Sequence, residues 1–430
     1  MPRIRILLLL TSPPLLLLLP LLLPASTSAF SFPANPARRP ITPSSVVPPL
    51  LRATSSSSSY SSYAERLSRI PVVICPGFGN DSIDYVSPLG RGSEYGLVSA
   101  LSRRGFNPDL IRVLPLDRIE WLRVAGGVLD VPDFYAGTCR PTGLGYGWYV
   151  RRLRETIQKA YDDGGGGGGG EGGGGGGRVL LIGHSAGGWL ARAALGDGSW
   201  GDADDDDGDP ACGPAAARAA DRVRALITIG AIHSPPRGGD AGGGPSSCVT
   251  RGALAYVDAN YPGAYHAGEG IAYVSVGGDA VVGRRRGRRR EEGRQGEEES
   301  AGGGTREANE IYEVRGEGSA SSVAYASYKA VGGDGETTGD GVVPLEYALL
   351  GGSRTIVLDG VVHSINEAGT TLPTDEWYGA EGVIDRWLYD ALEEAGIVVS
   401  EGRGGVGGAW DGLFSLDRFA DIFNSTLFKK

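Results

Sequence analysis

Val179-Leu180-Leu181-Ile182-Gly183-His184-Ser185-Ala186-Gly187 runs directly into Gly188-Trp189-Leu190-Ala191-Arg192-Ala193-Ala194-Leu195. Four consecutive apolar residues read as a strand buried on both faces. The Ala- and Leu-rich stretch behind them is a good helix former. Between the two lies Gly-His-Ser-Ala-Gly, which fits G-x-S-x-G, a turn so tight that its Ser occupies strained backbone space and needs small neighbours. The pattern alone carries little, because 72 Gly and 35 Ser in 430 residues produce about one such match by chance. Its context carries more: a strand enters the turn and a helix leaves it. The helix N-terminus then puts the positive end of its dipole beside Ser185, where negative charge develops when a hydroxyl attacks a carbonyl.

Outward from this unit the same alternation repeats. Residues 71–75 read as a buried strand that ends in Pro76-Gly77-Phe78-Gly79-Asn80. Tyr95, Leu97, Val98 and Leu101 mark a helix stopped at Gly105, and a second strand follows at 110–114. An irregular stretch holding Trp121 and Phe134-Tyr135 separates it from helical spacing over 149–161. Further apolar runs at 224–229, 271–276 and 355–358 read as strands, and an amphipathic helix closes the pattern over 377–395. Short apolar runs separated by helices predict one α/β domain over 71–398, its mostly parallel sheet covered on both faces. Three insertions interrupt it, at about 162–177, 201–214 and 283–308. They contain thirteen Gly with one Glu (164–177), an acidic run (202–209) and an Arg cluster followed by mixed charge (284–299). Such compositions read as solvated, disordered loops.

The first 64 residues hold five Arg and no Asp, Glu or Lys. Arg3 and Arg5 precede the Leu-rich segment 6–23, with Thr27 and Ala29 suited to a cleavage site, so 1–29 reads as a signal peptide. Residues 30–64, rich in Ser, Pro and Arg, read as a transit-peptide-like segment. The junction Ser28-Ala29-Phe30-Ser31-Phe32-Pro33 resembles bipartite presequences of algae with complex plastids, which implies plastid import by the secretory route; secretion is the alternative. The rest of the chain keeps 36 basic residues against 51 acidic ones, a net charge of −15. A body this acidic repels phosphate backbones, which argues against a nucleic-acid partner. Cys75, Cys139, Cys212 and Cys248 lie far apart without a C-x-x-C, against a disulfide scaffold or a zinc module. No metal or cofactor is called for. In the C-terminal tail 399–430, the apolar spacing over 410–428 fits a peripheral helix on the body or on a membrane.

A serine hydroxyl needs an adjacent base, and only four His exist. His184 sits inside the turn and should point away from the Ser185 hydroxyl. His233 follows the strand at 224–229 and suits a structural or wall role. His266 lies in a Gly- and Tyr-rich loop, 254–270, which could form a small apolar cap. His363, in Gly360-Val361-Val362-His363-Ser364, follows the final strand and alone comes after every candidate acid, as the order Ser, Asp, His requires. Two Asp compete as the acid that orients it. Asp340, in Thr338-Gly339-Asp340-Gly341-Val342-Val343-Pro344, is preferred for its spacing to His363; Asp279, after the strand at 271–276, is the alternative. The glycines after the first strand suit a loop that aims the N–H of Phe78 or Gly79, with that of Ala186, at an oxyanion.

At these residues the chain resembles the α/β-hydrolase superfamily in its lipase/esterase-like branch. It is similar to plastid and cyanobacterial-type hydrolases and, more remotely, to the lipase-like domain of glycosylphosphatidylinositol inositol deacylases. Cys75-Pro76-Gly77-Phe78-Gly79-Asn80-Asp81, Ile119-Glu120-Trp121-Leu122-Arg123, residues 339–344 and Glu376-Trp377-Tyr378-Gly379 carry the likeness. The resemblance implies a sheet of about eight strands, a Ser185–Asp340–His363 triad, and cleavage of carboxylic esters, acyl lipids among them, through an acyl-enzyme. Acyl transfer to an alcohol and a non-catalytic hydrolase-fold protein binding a small ligand or a partner are the alternatives. Oligomeric state is not legible.

Overall fold

The computed structural model describes residues 65–166, 177–197, 218–236, 249–285, 307–365 and 374–398, with side chains from 320 onward in the fifth segment. The sequence-predicted signal and transit segments, the C-terminal tail and most of the three insertions lie outside them. Cys212 and Cys248 do so as well.

In chain order the elements are β1 (Val72–Cys75), α1 (Leu97–Arg103), β2 (Ile111–Val113), α2 (Val131–Ala136), α3 (Gly147–Asp163), β3 (Val179–His184) and α4 (Ala186–Leu195). Then follow β4 (Val223–Ile229), α5 (Ala253–Asn260), β5 (Ala272–Gly278), β6 (Val281–Val282), α6 (Glu307–Gly332), β7 (Thr338–Gly339), α7 (Leu345–Ala348), β8 (Arg354–Leu358) and α8 (Glu381–Glu394). Six strands form one sheet in the order β2-β1-β3-β4-β5-β8, every pair parallel. Among the described residues the sheet thus has six strands, where the family resemblance implies about eight. β6 and β7 stand apart as an antiparallel pair of two residues each.

Alternate residues of the strands feed two cores, as the pleat dictates. Val72, Ile74, Leu180, Ile182 and Ile227 pack with Leu97 of α1 and Trp387 of α8. Val73, Leu181 and Leu226 face Leu153 of α3, Leu190 of α4 and Leu254 of α5. Leu67 and Ile70 already belong to the first core, so the folded body begins ahead of residue 71. With both faces covered, β3 and β4 are apolar almost throughout. This is the layered arrangement of the α/β-hydrolase fold.

One expectation needs correcting. Residues 254–270 are not a cap: Leu254 and Val257 are buried beside α4, which makes α5 part of the layer flanking the sheet. The third insertion gives way at residue 307 to a helix of 26 residues, α6, in a stretch whose Gly content and weak apolar periodicity conceal it. The outward excursion lies between β2 and α3, built from 3-10 turns over Arg118–Leu129 and from α2.

Candidate active site

A strand order that runs 2-1-3 leaves a crevice where the chain reverses its direction across the sheet, and ligands of open α/β sheets bind there, beyond the C-terminal strand ends. In this protein the crevice lies between β1 and β3. The loop 76–80 leaves β1 and Ser185 leaves β3, so both stand at its edges.

Ser185 has φ 52° and ψ −125°, one of three non-glycine residues with positive φ among the described residues. That conformation costs on the order of 1–3 kcal/mol and is held only where the surroundings dictate it. Here the Ser185 N–H is tied to the Ile229 carbonyl at 3.1 Å, and α4 begins at the next residue. Gly77 lies so near that a Cβ on it would stand 2.6 Å from Ser185 Cβ, so only glycine lets the β1 loop close on the turn.

His363 and Asp340 meet. His363 Nδ1 lies 2.7 Å from Asp340 Oδ2, and the His363 N–H donates to the Asp340 carbonyl at 2.9 Å. The Asp340 carboxyl is held from all sides: the Val342 and Val343 N–H groups donate to Oδ1 at 3.0 and 2.8 Å, and the Tyr378 hydroxyl donates to Oδ2 at 2.9 Å. Tyr378 in turn accepts the Gly278 N–H at 2.7 Å, which joins the end of β5 to the acid. Burial beside Asp340 raises the Tyr378 phenol well above its ordinary range and keeps it a donor. Gly230, the residue after β4, fits against this pair at φ 55°; a Cβ there would fall 2.7 Å from Asp340 Oδ2 and 3.1 Å from His363 Nδ1. Ile229, which accepts from Ser185, and Gly230, which abuts the pair, are consecutive. The chain therefore brings positions 185, 340 and 363 to one place.

With Nδ1 donating to Asp340, the lone pair of the neutral imidazole is on Nε2. Neither that nitrogen nor the Ser185 hydroxyl has a hydrogen-bond partner among the described residues. Asp279, the alternative acid, does not reach His363. Its carboxylate instead accepts the Gly360 N–H at 3.1 Å, bracing the turn that leads to His363.

The loop 76–80 is fastened by three aromatic residues. The Gly77 N–H donates to the Tyr85 hydroxyl at 3.1 Å, the Tyr149 hydroxyl to the Pro76 carbonyl at 2.8 Å, and Trp121 Nε1 to the Asn80 carbonyl at 2.9 Å. The Phe78 and Gly79 N–H groups take no acceptor among the described residues. As the first residue of α4, Ala186 has no intrahelical acceptor for its own N–H.

His184 is buried under the turn and bonded on both nitrogens, to the Tyr85 hydroxyl and to the His363 carbonyl. His233 is buried with Nε2 at 2.9 Å from Thr228 Oγ1, and His266 holds the Gly196 carbonyl and Glu269. Tyr85, Trp121 and Tyr378 were not marked as site residues by sequence. The segments carrying Trp121 and Tyr378 bore the family likeness, whereas nothing marked Tyr85. Cys75 and Cys139 are free and buried, and burial raises both thiols above their ordinary range. No group of three metal-ligating side chains gathers among the described residues.

Phe78 packs on Trp121 with ring centroids 5.1 Å apart. The excursion that carries Trp121 also encloses a small, largely apolar cavity lined by Val124, Phe134, Cys139, Leu144, Tyr146 and Arg251. Tyr146 stands edge-on to Trp189, four residues past Ser185, at 5.0 Å. Ile119, Leu122, Leu129, Tyr135 and Leu144 of the same excursion face outward.

No protein-family model matches the chain, and no curated protein matches it. Among solved structures, it is similar to the crystal structure of the metagenomic carboxyl esterase MGS0156, at 12% identity over 76% of this chain and 74% of that one, with a TM-score of 0.33. At that distance the functional reading rests on this chain's own geometry.

Proposed function

We propose that this protein is a serine hydrolase of carboxylic esters. The observation that carries the reading is the His363–Asp340 pair standing at the end of the sheet where Ser185 is held in strained backbone geometry. In this mechanism His363 Nε2 accepts the Ser185 proton as Oγ attacks the ester carbonyl, and Asp340 fixes the tautomer and stabilises the imidazolium. The carbonyl oxygen becomes an oxyanion, received by the N–H of Ala186 and that of Phe78 or Gly79. Collapse of the tetrahedral species breaks the C–O bond, and His363 returns its proton to the leaving alcohol. Water, deprotonated by His363, then attacks the acyl-enzyme, and a second collapse releases the acid and restores Ser185.

An acyl-lipid substrate fits the apolar surroundings: Phe78 at the crevice, backed by the buried Trp121, and Ile119, Leu122 and Leu129 turned outward on the excursion. It also agrees with the distant resemblance to inositol deacylase domains. The presequence reading places the enzyme in a complex plastid, with secretion as the alternative, and a fluorescent fusion to residues 1–64 distinguishes them.

A fluorophosphonate probe is expected to label wild-type protein at Ser185 and to leave Ser185→Ala unlabelled. Incubation of total plastid lipid with each protein is expected to release free fatty acid only with the wild type. A folded wild type that neither labels nor turns over any short-chain ester overturns the reading in favour of a ligand-binding protein. Acyl products on an added alcohol would make it a transferase.

A further inference from the structure

The G-x-S-x-G turn contains a second residue whose side chain the mechanism above does not use. His184, preceding Ser185, is 2% exposed. Its Nε2 lies 2.9 Å from the His363 carbonyl, which can only accept, so Nε2 carries the hydrogen. Its Nδ1 lies 2.7 Å from the Tyr85 hydroxyl. That hydroxyl already accepts from the Gly77 N–H at 3.1 Å and the Asn80 amide at 2.9 Å, so its own hydrogen goes to His184. All donors and acceptors agree, and one continuous chain results. It runs from the Gly77 N–H through Tyr85 and His184 to the His363 carbonyl, and from the His363 N–H to the Asp340 carbonyl.

The two ends of this chain come from strands that do not touch. Gly77 follows β1 and His363 follows β8, with β3, β4 and β5 between them in the sheet. We propose that the Tyr85–His184 pair is a positioning strut that sets the loop of the oxyanion donors against the loop of the catalytic base; this rests on the serine-hydrolase reading. Gly77 is the residue before Phe78, so the bond from its N–H to Tyr85 fixes the Pro76–Gly77 peptide, one residue ahead of the peptide that carries the Phe78 N–H. At the other end, the His363 backbone is gripped on both sides, its N–H by Asp340 and its carbonyl by His184. The two imidazole rings lie 4.9 Å apart between centroids. A cation on His184 would oppose the imidazolium that forms on His363, and burial with the neighbouring His363 holds His184 down to about 3, so it stays neutral. Asp340 is the other charged group facing it.

The test uses the full-length protein purified as wild type, Ser185→Ala, Tyr85→Phe and His184→Gln. Gln retains a donor toward the His363 carbonyl and loses the ring nitrogen that accepts from Tyr85. Fluorophosphonate titration counts working sites, so kcat per titrated site excludes any fraction that fails to fold. Tyr85→Phe is expected to lower kcat per site by roughly 10–100-fold, less than deletion of an oxyanion donor outright, with KM within about threefold. An alkyl boronic acid, which mimics the tetrahedral state, should lose affinity by the same factor as kcat. Combining Tyr85→Phe with His184→Gln should cost little beyond the worse single change, because both cut one chain. A Tyr85→Phe enzyme with wild-type kcat per site, or one whose kcat falls while boronate affinity holds, overturns the strut. A wild type that neither labels nor hydrolyses ends the hydrolase reading and the strut together, whereas a labelled, active wild type beside an unaffected Tyr85→Phe ends the strut alone.

Discussion

Two regions of the molecule flank the loop after β1 and are built on opposite terms. At the ends of β3, β4, β5 and β8 almost every polar group is committed: both Asp340 oxygens, both His184 nitrogens and the Tyr378 hydroxyl are bonded at 2.7–3.0 Å. Across the crevice, the excursion between β2 and α3 is made of 3-10 turns and a short helix, with Ile119 and Leu129 68% and 78% exposed. Trp121 and the Glu120–Arg152 pair root it, the latter bonded twice at 2.7 and 2.9 Å and holding the Glu120 carboxyl down to about 2. The contrast teaches a division of labour. On the reading proposed above, the fixed geometry serves the chemistry, where a small misplacement costs rate, and the exposed apolar surface meets the substrate.

The largest test of that contrast lies on the rigid side. Asp340→Asn is expected to lower kcat by about 10⁴-fold, since it disturbs the His363 tautomer while leaving the shape intact. Asp279→Asn, which keeps an oxygen to accept the Gly360 N–H, should stay within about threefold; equal losses in the two variants would erase the distinction between the aspartates. Next comes the root of the excursion. Trp121→Ala removes a fully buried indole and should cost about 3–5 kcal/mol in urea unfolding, with short-ester turnover falling as the Asn80 end of the loop loosens. If turnover per folded molecule is unchanged, Trp121 does not connect the two regions.

A smaller effect follows from His184. Its folded-state value of about 3 lies below the ordinary 6.5, so between those pH values the unfolded chain binds a proton that the folded chain refuses. Stability is therefore full above pH 6.5 and falls below it, by about 1.4 kcal/mol per pH unit from this residue. Buried His233, also held well below its ordinary value, adds a slope of the same sign. Urea titrations between pH 7 and pH 5 should show a shallower slope in His184→Gln than in the wild type, and an unchanged slope would mean that the ring is not kept neutral. Smallest is Leu129→Ser on the excursion. Stability should move by less than about 0.5 kcal/mol, while KM for long-chain esters rises several-fold and that for short-chain esters does not. A uniform change in both would remove the excursion from substrate recognition.

The strands, the turn at Ser185 and the parallel sheet were legible in the linear chain because each is a local pattern: an apolar run, a tight glycine turn, a helix-forming stretch. Helix α6 was not, since Glu307–Gly332 mixes Gly, Ser and charge without a clear apolar stripe. The strut was not legible either. Tyr85 and His184 are 99 residues apart, and no spacing rule pairs them.

By itself, the amino-acid order determined where strands and helices form, that a serine stands on a tight strand-to-helix turn, and that few histidines were available to serve it. Only the tertiary structure decided which aspartate meets His363, which aromatic residues fasten the loop after β1, and that His184 bridges two distant strand ends. The reason is physical: local patterns follow from the steric and apolar preferences of neighbouring residues. Partners separated by tens to hundreds of residues are selected only when the packed sheet brings their strand ends together.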